Sequence, residues 1–97
     1  MRVISEKALR EFWKTHPDAE QALRTWLAIV NRAAWHSPDE IKREFATASF
    51  LANNRVVFNI RGNNYRLVVV AVYRIEHIYI RFIGTHAEYD RIDAETV

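Results

Sequence analysis

The sequence predicts an α+β fold, in which an N-terminal strand and helices pack on one face of a mostly antiparallel twisted sheet. Apolar residues recur at helical spacing up to about Phe45, and strand-like alternation begins at Arg55. Because helices precede a run of strands, we expect the helices to gather on one face of the sheet. A chain of 97 residues has room for one core, so we predict a single compact domain over residues 1–97.

The first half reads as one strand and three helices. Arg2 to Ile4 is predicted to be a short strand, and Ser5 to cap the first helix. His16-Pro17 ends this helix, because a residue before proline avoids the helical conformation, and Pro17 opens the second helix. The second helix has an apolar stripe, formed by Leu23, Trp26, Leu27, Val30 and Ala34. A capping-box signature at Ser37 predicts a third helix that ends near Phe45.

The second half reads as a meander of three strands. They are predicted at Arg55 to Ile60, at the valine-rich Tyr65 to Tyr73, and at His77 to Ile83, with turns at Gly62-Asn63-Asn64 and Arg74-Ile75-Glu76. In the last strand, strict alternation predicts that Ile78, Ile80 and Phe82 face the helices. His77, Tyr79 and Arg81 are then expected on the opposite face.

The charge distribution indicates a phosphate-bearing partner. Residues 1–45 have eight basic and seven acidic side chains, whereas residues 46–86 have five arginines and a single acid, Glu76. A guanidinium group matches the geometry of a phosphate. The sequence has no cysteine, which excludes disulfides and a catalytic thiol. It also lacks a signal peptide and any apolar run of membrane-spanning length, so we expect a soluble intracellular protein.

The candidate site is predicted where the last strand ends, at His86, Glu88 and Tyr89, with Arg66 on a neighbouring strand. Cleavage of RNA without a metal requires groups that remove a proton from the 2′-hydroxyl, stabilise the phosphorane and protonate the leaving 5′-oxygen. Histidine, tyrosine, carboxylate and guanidinium groups can perform these steps. The four histidines do not have the spacing of a zinc site, so no metal or other cofactor is expected.

Three segments resemble the HigB-type toxins of the RelE superfamily. They are Arg55-Val56-Val57-Phe58-Asn59-Ile60, Gly62-Asn63-Asn64-Tyr65-Arg66-Leu67 and, most specifically, Phe82-Ile83-Gly84-Thr85-His86-Ala87-Glu88-Tyr89-Asp90. The resemblance covers nearly the whole chain. It implies a RelE-like domain and an mRNA interferase of the bacterial cytoplasm, which cleaves mRNA on the translating ribosome. It also implies a HigA-like antitoxin with a helix-turn-helix as the partner.

The resemblance also assigns roles to residues. Arg66 is implied as the arginine that stabilises the phosphate, His86 as a residue that transfers a proton or contacts the phosphate, and Tyr89 as a tyrosine that stacks on or orients the substrate. The RelE archetype relies on lysines, whereas this chain has none after Lys42. Residues expected to bind the RNA or its phosphates are Arg55, Arg61, Tyr79, Arg81 and Glu88.

Two other functions remain open from the sequence. A toxin of the same fold could act without catalysis on a protein target such as DNA gyrase, as ParE-like toxins do, but such a poison needs no proton-transfer groups. A plain RNA-binding module would show salt-dependent binding without strand breaks. A structural interpretation of the site is also open, in which His86 and Tyr89 end the sheet and Arg66 forms an ion pair with Glu88 or Asp90.

Overall fold

One five-stranded sheet and four α-helices make up the fold in the computed structural model, which describes residues 1–97. The strands are β1 (Arg2–Ile4), β2 (Ser49–Phe50), β3 (Arg55–Ile60), β4 (Tyr65–Val72) and β5 (His77–Thr85). The helices are α1 (Lys7–Thr15), α2 (Glu20–Arg32), α3 (Pro38–Glu44) and α4 (His86–Tyr89). Short 3-10 helices lie at Pro17–Ala19 and Tyr73–Ile75. The predicted α+β architecture is confirmed.

The sheet has the order β1-β5-β4-β3-β2. β1 pairs in parallel with β5, and all other neighbours are antiparallel. The main core lies between α1–α3 and one face of the sheet. It contains the stripe of α2, of which Leu23, Trp26, Leu27 and Val30 are buried, whereas Ala34 is exposed beyond the end of the helix. The rings of Trp26 and Phe58 meet edge to face at 5.4 Å between centroids.

The predicted caps of α1 and α3 are wrong in detail. Ser5 adopts a left-handed φ of 72° and offers its main-chain oxygen, rather than its side chain, to the Ala8 N–H. Ser37 precedes α3 without a side-chain cap, and the Glu40 carboxylate accepts a hydrogen bond from the main-chain N–H of His36 (2.6 Å). The helices themselves are present because their apolar faces are buried, which outweighs the missing caps.

A β-bulge in β5 overturns the predicted alternation of that strand. Val69 pairs with Ile80 and Val68 with Phe82, so Arg81 is the extra residue. Ile78 and Ile80 face the helices as predicted, but Phe82 packs with Val68 on the opposite face. We call this opposite face the distal face. It also holds Val57 of β3, because Val57 is the cross-strand partner of Val68 and directly opposite residues share a face.

The C-terminal segment, residues 90–97, lies against the distal face. Ala94 is buried in a small second core with Val57 and Val68, and Ile92 and Val97 pack at its edge. The C-terminal segment is therefore packed on the domain and does not extend away from it. None of the helices has the length and apolar character to span a membrane.

Candidate active site

The candidate site lies at the end of the sheet where β4 begins and β5 ends, which we call the α4 end. Arg66 of β4 is the cross-strand partner of Gly84 in β5, and Tyr65 is the partner of Thr85. Helix α4 starts immediately after Thr85, so that His86 and Glu88 are held beside the first residues of β4. Three of the predicted residues, Arg66, His86 and Glu88, are thus brought to the same end of the sheet.

The guanidinium group of Arg66 is free to bind an anion. It donates to the main-chain oxygens of Asn63 (3.1 Å) and Tyr65 (3.4 Å), which direct it toward the β3–β4 turn. No carboxylate lies within ion-pair distance of it, so neither Glu88 nor Asp90 neutralises its charge. The structural interpretation of Arg66 as half of an ion pair is therefore not supported, and its donors remain available to a phosphate.

His86 is oriented by Asp90. Its Nδ1 lies 3.1 Å from Asp90 Oδ2, one helical turn away, and both side chains are more than half exposed. A carboxylate only accepts hydrogen bonds, so Nδ1 bears the hydrogen and Nε2 of the neutral ring has its lone pair free. A carboxylate that fixes the tautomer of a histidine is the arrangement used by general bases in hydrolytic enzymes. His86 can therefore accept and return a proton at Nε2.

The position of α4 is fixed by a reciprocal capping box that the sequence analysis missed. Thr85 Oγ1 accepts a hydrogen bond from the Glu88 N–H (3.1 Å), and Glu88 Oε1 accepts one from the Thr85 N–H (2.8 Å). The Thr85 main-chain N–H, with smaller contributions from its side chain, His16 and Arg91, lowers the pKa of Glu88 below its usual range. The signal Thr-x-x-Glu is present in the sequence and could have been recognised. Glu88 thus holds α4 as a carboxylate.

Tyr89, the last residue of α4, lies on the side of the site that borders the distal face. Its ring packs against the second core of Val57 and Val68, and its hydroxyl makes no hydrogen bond. One face of the side chain is therefore anchored, whereas the hydroxyl is available to a ligand. This arrangement suits a residue that positions a substrate.

The other predicted phosphate ligands lie elsewhere. Arg61 pairs with Asp18 (3.4 Å) at the helix side of the sheet, because a left-handed φ of 53° turns it out of the strand. The same Asp18 accepts a hydrogen bond from the Tyr65 hydroxyl at 2.5 Å, and this bond raises the pKa of Tyr65. Tyr79 contacts His77 Nδ1 (3.1 Å) and is five residues from Gly84, roughly 16 Å along the strand. Arg61 and Tyr79 are thus not brought together with Arg66.

Arg55 and Arg81 converge on the C-terminal segment. Arg55 Nη2 donates to the main-chain oxygen of Val97 at 2.7 Å, and Arg81 Nε donates to the same oxygen at 3.0 Å. Consecutive side chains on a regular strand point to opposite faces. Because of the bulge, however, the consecutive residues Arg81 and Phe82 both have their side chains on the distal face. The two guanidinium groups therefore form one pair on the distal face. Across the whole chain, no three His, Asp or Glu side chains are grouped so as to hold a metal ion.

A small α+β domain with a five-stranded sheet of this kind is consistent with the RelE-like class of toxins. The sequence model of the HigB_toxin family, described as the RelE-like toxic component of a toxin–antitoxin system, matches residues 19–92. The chain therefore belongs to the HigB_toxin family, and this membership implies an antitoxin as its partner.

Named relatives agree with this family. The mRNA interferase toxin HigB of Escherichia coli K12 is 27% identical over 92 residues, which cover 93% of this chain and 88% of the relative. The mRNA interferase HigB of Shigella flexneri matches with the same identity and coverage. The mRNA interferase HigB of Escherichia coli O6:H1 is 24% identical over 94 residues, 95% of this chain and 91% of the relative.

Proposed function

We propose that this protein is an mRNA interferase, an endoribonuclease that cleaves mRNA without a metal ion and so inhibits translation and growth. The proposal rests on one observation: an imidazole oriented by a carboxylate, His86 with Asp90, lies at the same end of the sheet as the unpaired guanidinium of Arg66. The relatives named mRNA interferase support the choice of RNA as substrate.

The reaction follows from the chemistry of RNA. The 2′-oxygen attacks the adjacent phosphorus, its proton passes to a base, the bond from phosphorus to the 5′-oxygen breaks, and that oxygen takes up a proton from an acid. The products are a 2′,3′-cyclic phosphate and a 5′-hydroxyl. His86 Nε2 exchanges one of these protons. Arg66 stabilises the negative charge that develops on the non-bridging oxygens, and Tyr89 positions the neighbouring nucleotide.

The setting of the reaction is also part of the proposal. We place the protein in the bacterial cytoplasm, acting on mRNA bound to the translating ribosome. A HigA-like antitoxin with a helix-turn-helix neutralises it. The distribution of charge supports a nucleic-acid target, because residues 46–86 have five arginines and one acid.

The test compares the wild type with H86A and R66A after induction in bacteria, by mapping new mRNA 5′ ends. We expect each variant to lower the cleavage rate by about 10²-fold or more, since each removes a group that acts in the transition state. R74A is the matched control, because Arg74 is exposed and lies in the 3-10 helix at the opposite end of the sheet. Cleavage of ribosome-bound mRNA should persist in a chelator that is selective for transition metals and leaves the Mg²⁺ of the ribosome in place.

The outcomes separate the competing functions. New 5′ ends within translated frames, formed by the wild type and R74A only, support the nuclease. Growth arrest without new ends, equally strong in H86A, contradicts it and indicates a protein target such as gyrase. RNA binding that weakens with salt but yields no strand breaks indicates a binding module.

A further inference from the structure

Asn59 lies beside Arg66 on the distal face of the sheet. The register pairs Asn59 of β3 with Arg66 of β4, and Arg66 with Gly84 of β5, in one row across three strands. Val57 and Val68, the next pair along these strands, belong to the second core on the distal face. Because side chains two residues apart on a strand share a face, Asn59 and Arg66 also point to the distal face. Directly paired residues have Cβ atoms about 5 Å apart, so the two side chains are neighbours.

The carboxamide of Asn59 has no partner within the protein. It takes part in none of the side-chain hydrogen bonds. The residue is partly buried, yet neither its oxygen nor its nitrogen is among the buried unpaired atoms, so both reach solvent. Asparagine is depleted in strands, and the flanking residues Phe58 and Ile60 are buried apolar side chains. The hydrogen-bonding groups of Asn59 are therefore available to a ligand.

Two aromatic rings border this row of residues. Tyr89 packs against the second core, which lies one residue pair along the strands from Asn59 and Arg66. Phe82 Cζ lies 2.6 Å from the point where a Cβ on Gly84 would stand, so this ring covers the β5 end of the row. In single-stranded RNA, the faces of bases stack on aromatic rings and their edges are recognised by hydrogen bonds. An aromatic ring and a free carboxamide thus lie next to the guanidinium that is available to a phosphate.

We propose that Asn59 is a specificity-determining residue, which binds the edge of the base beside the scissile phosphate and selects adenine there. The inference rests on the proposed function, in which Arg66 binds the phosphate and Tyr89 positions the nucleotide. A carboxamide has an acceptor oxygen and a donor NH₂ group. It forms a bidentate pair with adenine, in which it accepts from the N6 amino group and donates to N7. Guanine presents two acceptors, N7 and O6, at the same edge, and pyrimidines have no N7.

The alternative is that Asn59 is only a polar residue on a partly exposed face of the sheet. The experiment measures the cleavage rate of ribosome-bound mRNAs that differ in one base beside the cut, at the position that the wild type selects in an mRNA with a randomised codon. The four natural bases are compared with 7-deazaadenine, which lacks N7. Each ratio of rates is taken within one protein, so a loss of stability or of active fraction cancels.

The matched variants are N59V and N31A. Valine is favoured in strands and has no hydrogen-bonding side chain, so N59V removes the carboxamide and keeps the strand. Asn31 is the control, because it is an exposed asparagine on α2, in the helical layer. The substitution of N7 by carbon in the RNA tests the same contact with the protein unchanged.

We expect the wild type and N31A to cleave the adenine mRNA about tenfold faster or more than the guanine mRNA, as a bidentate pair allows. 7-Deazaadenine should slow them about fivefold, for one lost hydrogen bond. In N59V both ratios should fall below about twofold, because the partner of N6 and N7 is absent. If N59V keeps the wild-type ratios, if 7-deazaadenine is cleaved as fast as adenine, or if the wild type does not prefer adenine, the inference is wrong while the proposed function stands. If the wild type does not cleave, both are wrong.

Discussion

Gly84 is the residue on which the geometry of the site depends. A Cβ at this position would lie 2.6 Å from Cζ of Phe82 and 3.0 Å from Oε1 of Glu88. Its cross-strand partner is Arg66. The absence of a side chain thus allows the Phe82 ring to close over β5 and the Glu88 carboxylate to reach back to the cap of α4. A glycine is required at position 84 because there is no space for a side chain. At the other glycine, Gly62, an added Cβ would have no atom within 4 Å, but the left-handed φ of 64° favours glycine.

We predict that G84A lowers the free energy of unfolding by about 1–3 kcal/mol, because the added methyl group overpacks a filled space. It should also slow cleavage, since α4 has to move. Denaturant unfolding and the mRNA cleavage assay measure the two effects. In the F82L background the same substitution should cost less, because the atom nearest to the new Cβ is removed. An equal cost in both backgrounds would show that Phe82 is not the obstacle.

At the residue scale, the sequence predicts which residues belong to the candidate site better than it predicts where their side chains point. Arg66, His86, Glu88 and Tyr89 are identified through the resemblance, and the structure places all four near the α4 end. Arg61 is turned away because of its left-handed φ, which a non-glycine residue rarely adopts. His16 precedes a proline and therefore reads as a helix end. Its proximity to Glu88 depends on tertiary packing, which local spacing does not contain.

At the scale of the element, α4 is held by its capping box. The helix has four residues, too few to be stable by its own hydrogen bonds. The Thr85 main-chain N–H donates to the Glu88 carboxylate and lowers its pKa. A carboxylate whose folded pKa lies below its unfolded value stabilises the protein at higher pH, and this contribution is lost as the pH falls through the folded pKa.

We therefore predict a pH-dependent difference between the wild type and E88Q. Above the ordinary glutamate value of 4.5, the wild type should be the more stable. Below it, the difference in the free energy of unfolding should shrink toward zero as Glu88 is protonated. Urea unfolding between pH 3 and 7 measures this difference. T85V should keep most of the pH dependence, because the main-chain donor, which contributes most, remains. A constant difference across this range would contradict the assignment.

Strand limits follow from sequence where turn residues flank a strand on both sides. β3 spans Arg55–Ile60 as predicted, between two asparagines and the turn at Gly62. The bulge at Arg81 has no such signal, because it exists only relative to the partner strand β4. β2 could not be predicted either, because two residues are too few to show an alternation of apolar and polar side chains.

For the whole molecule, the C-terminal segment covers the basic part of the distal face. Val97 accepts hydrogen bonds from Arg55 and Arg81, and the main-chain oxygen of Glu95 accepts one from the Asn53 side chain (3.1 Å). Ala94 covers the second core. A polyanion that binds both arginines has to displace this segment from them.

We predict that deletion of residues 93–97 has two opposite effects. Stability should fall by about 1–3 kcal/mol, because Val57 and Val68 lose their apolar cover. Affinity for single-stranded RNA, measured in the H86A background, should rise, and its dependence on log salt should steepen by up to about 1.4, for two freed arginines. The same deletion with R55A and R81A should lose the gain. Unchanged affinity would show that these arginines do not bind RNA.

The pairing of β1 with β5 has a consequence for the time at which the toxin becomes active. Synthesis on the ribosome produces β1 to β4 first, but β5 lies between β1 and β4, so the sheet has a gap until residue 85 has emerged. His86 and its partner Asp90 come later still. Domains fold as units when their chain is available. A chain without β5 thus cannot assemble the proposed site, because the pairing of β4 with β5 is what brings Arg66 and His86 to the same end of the sheet.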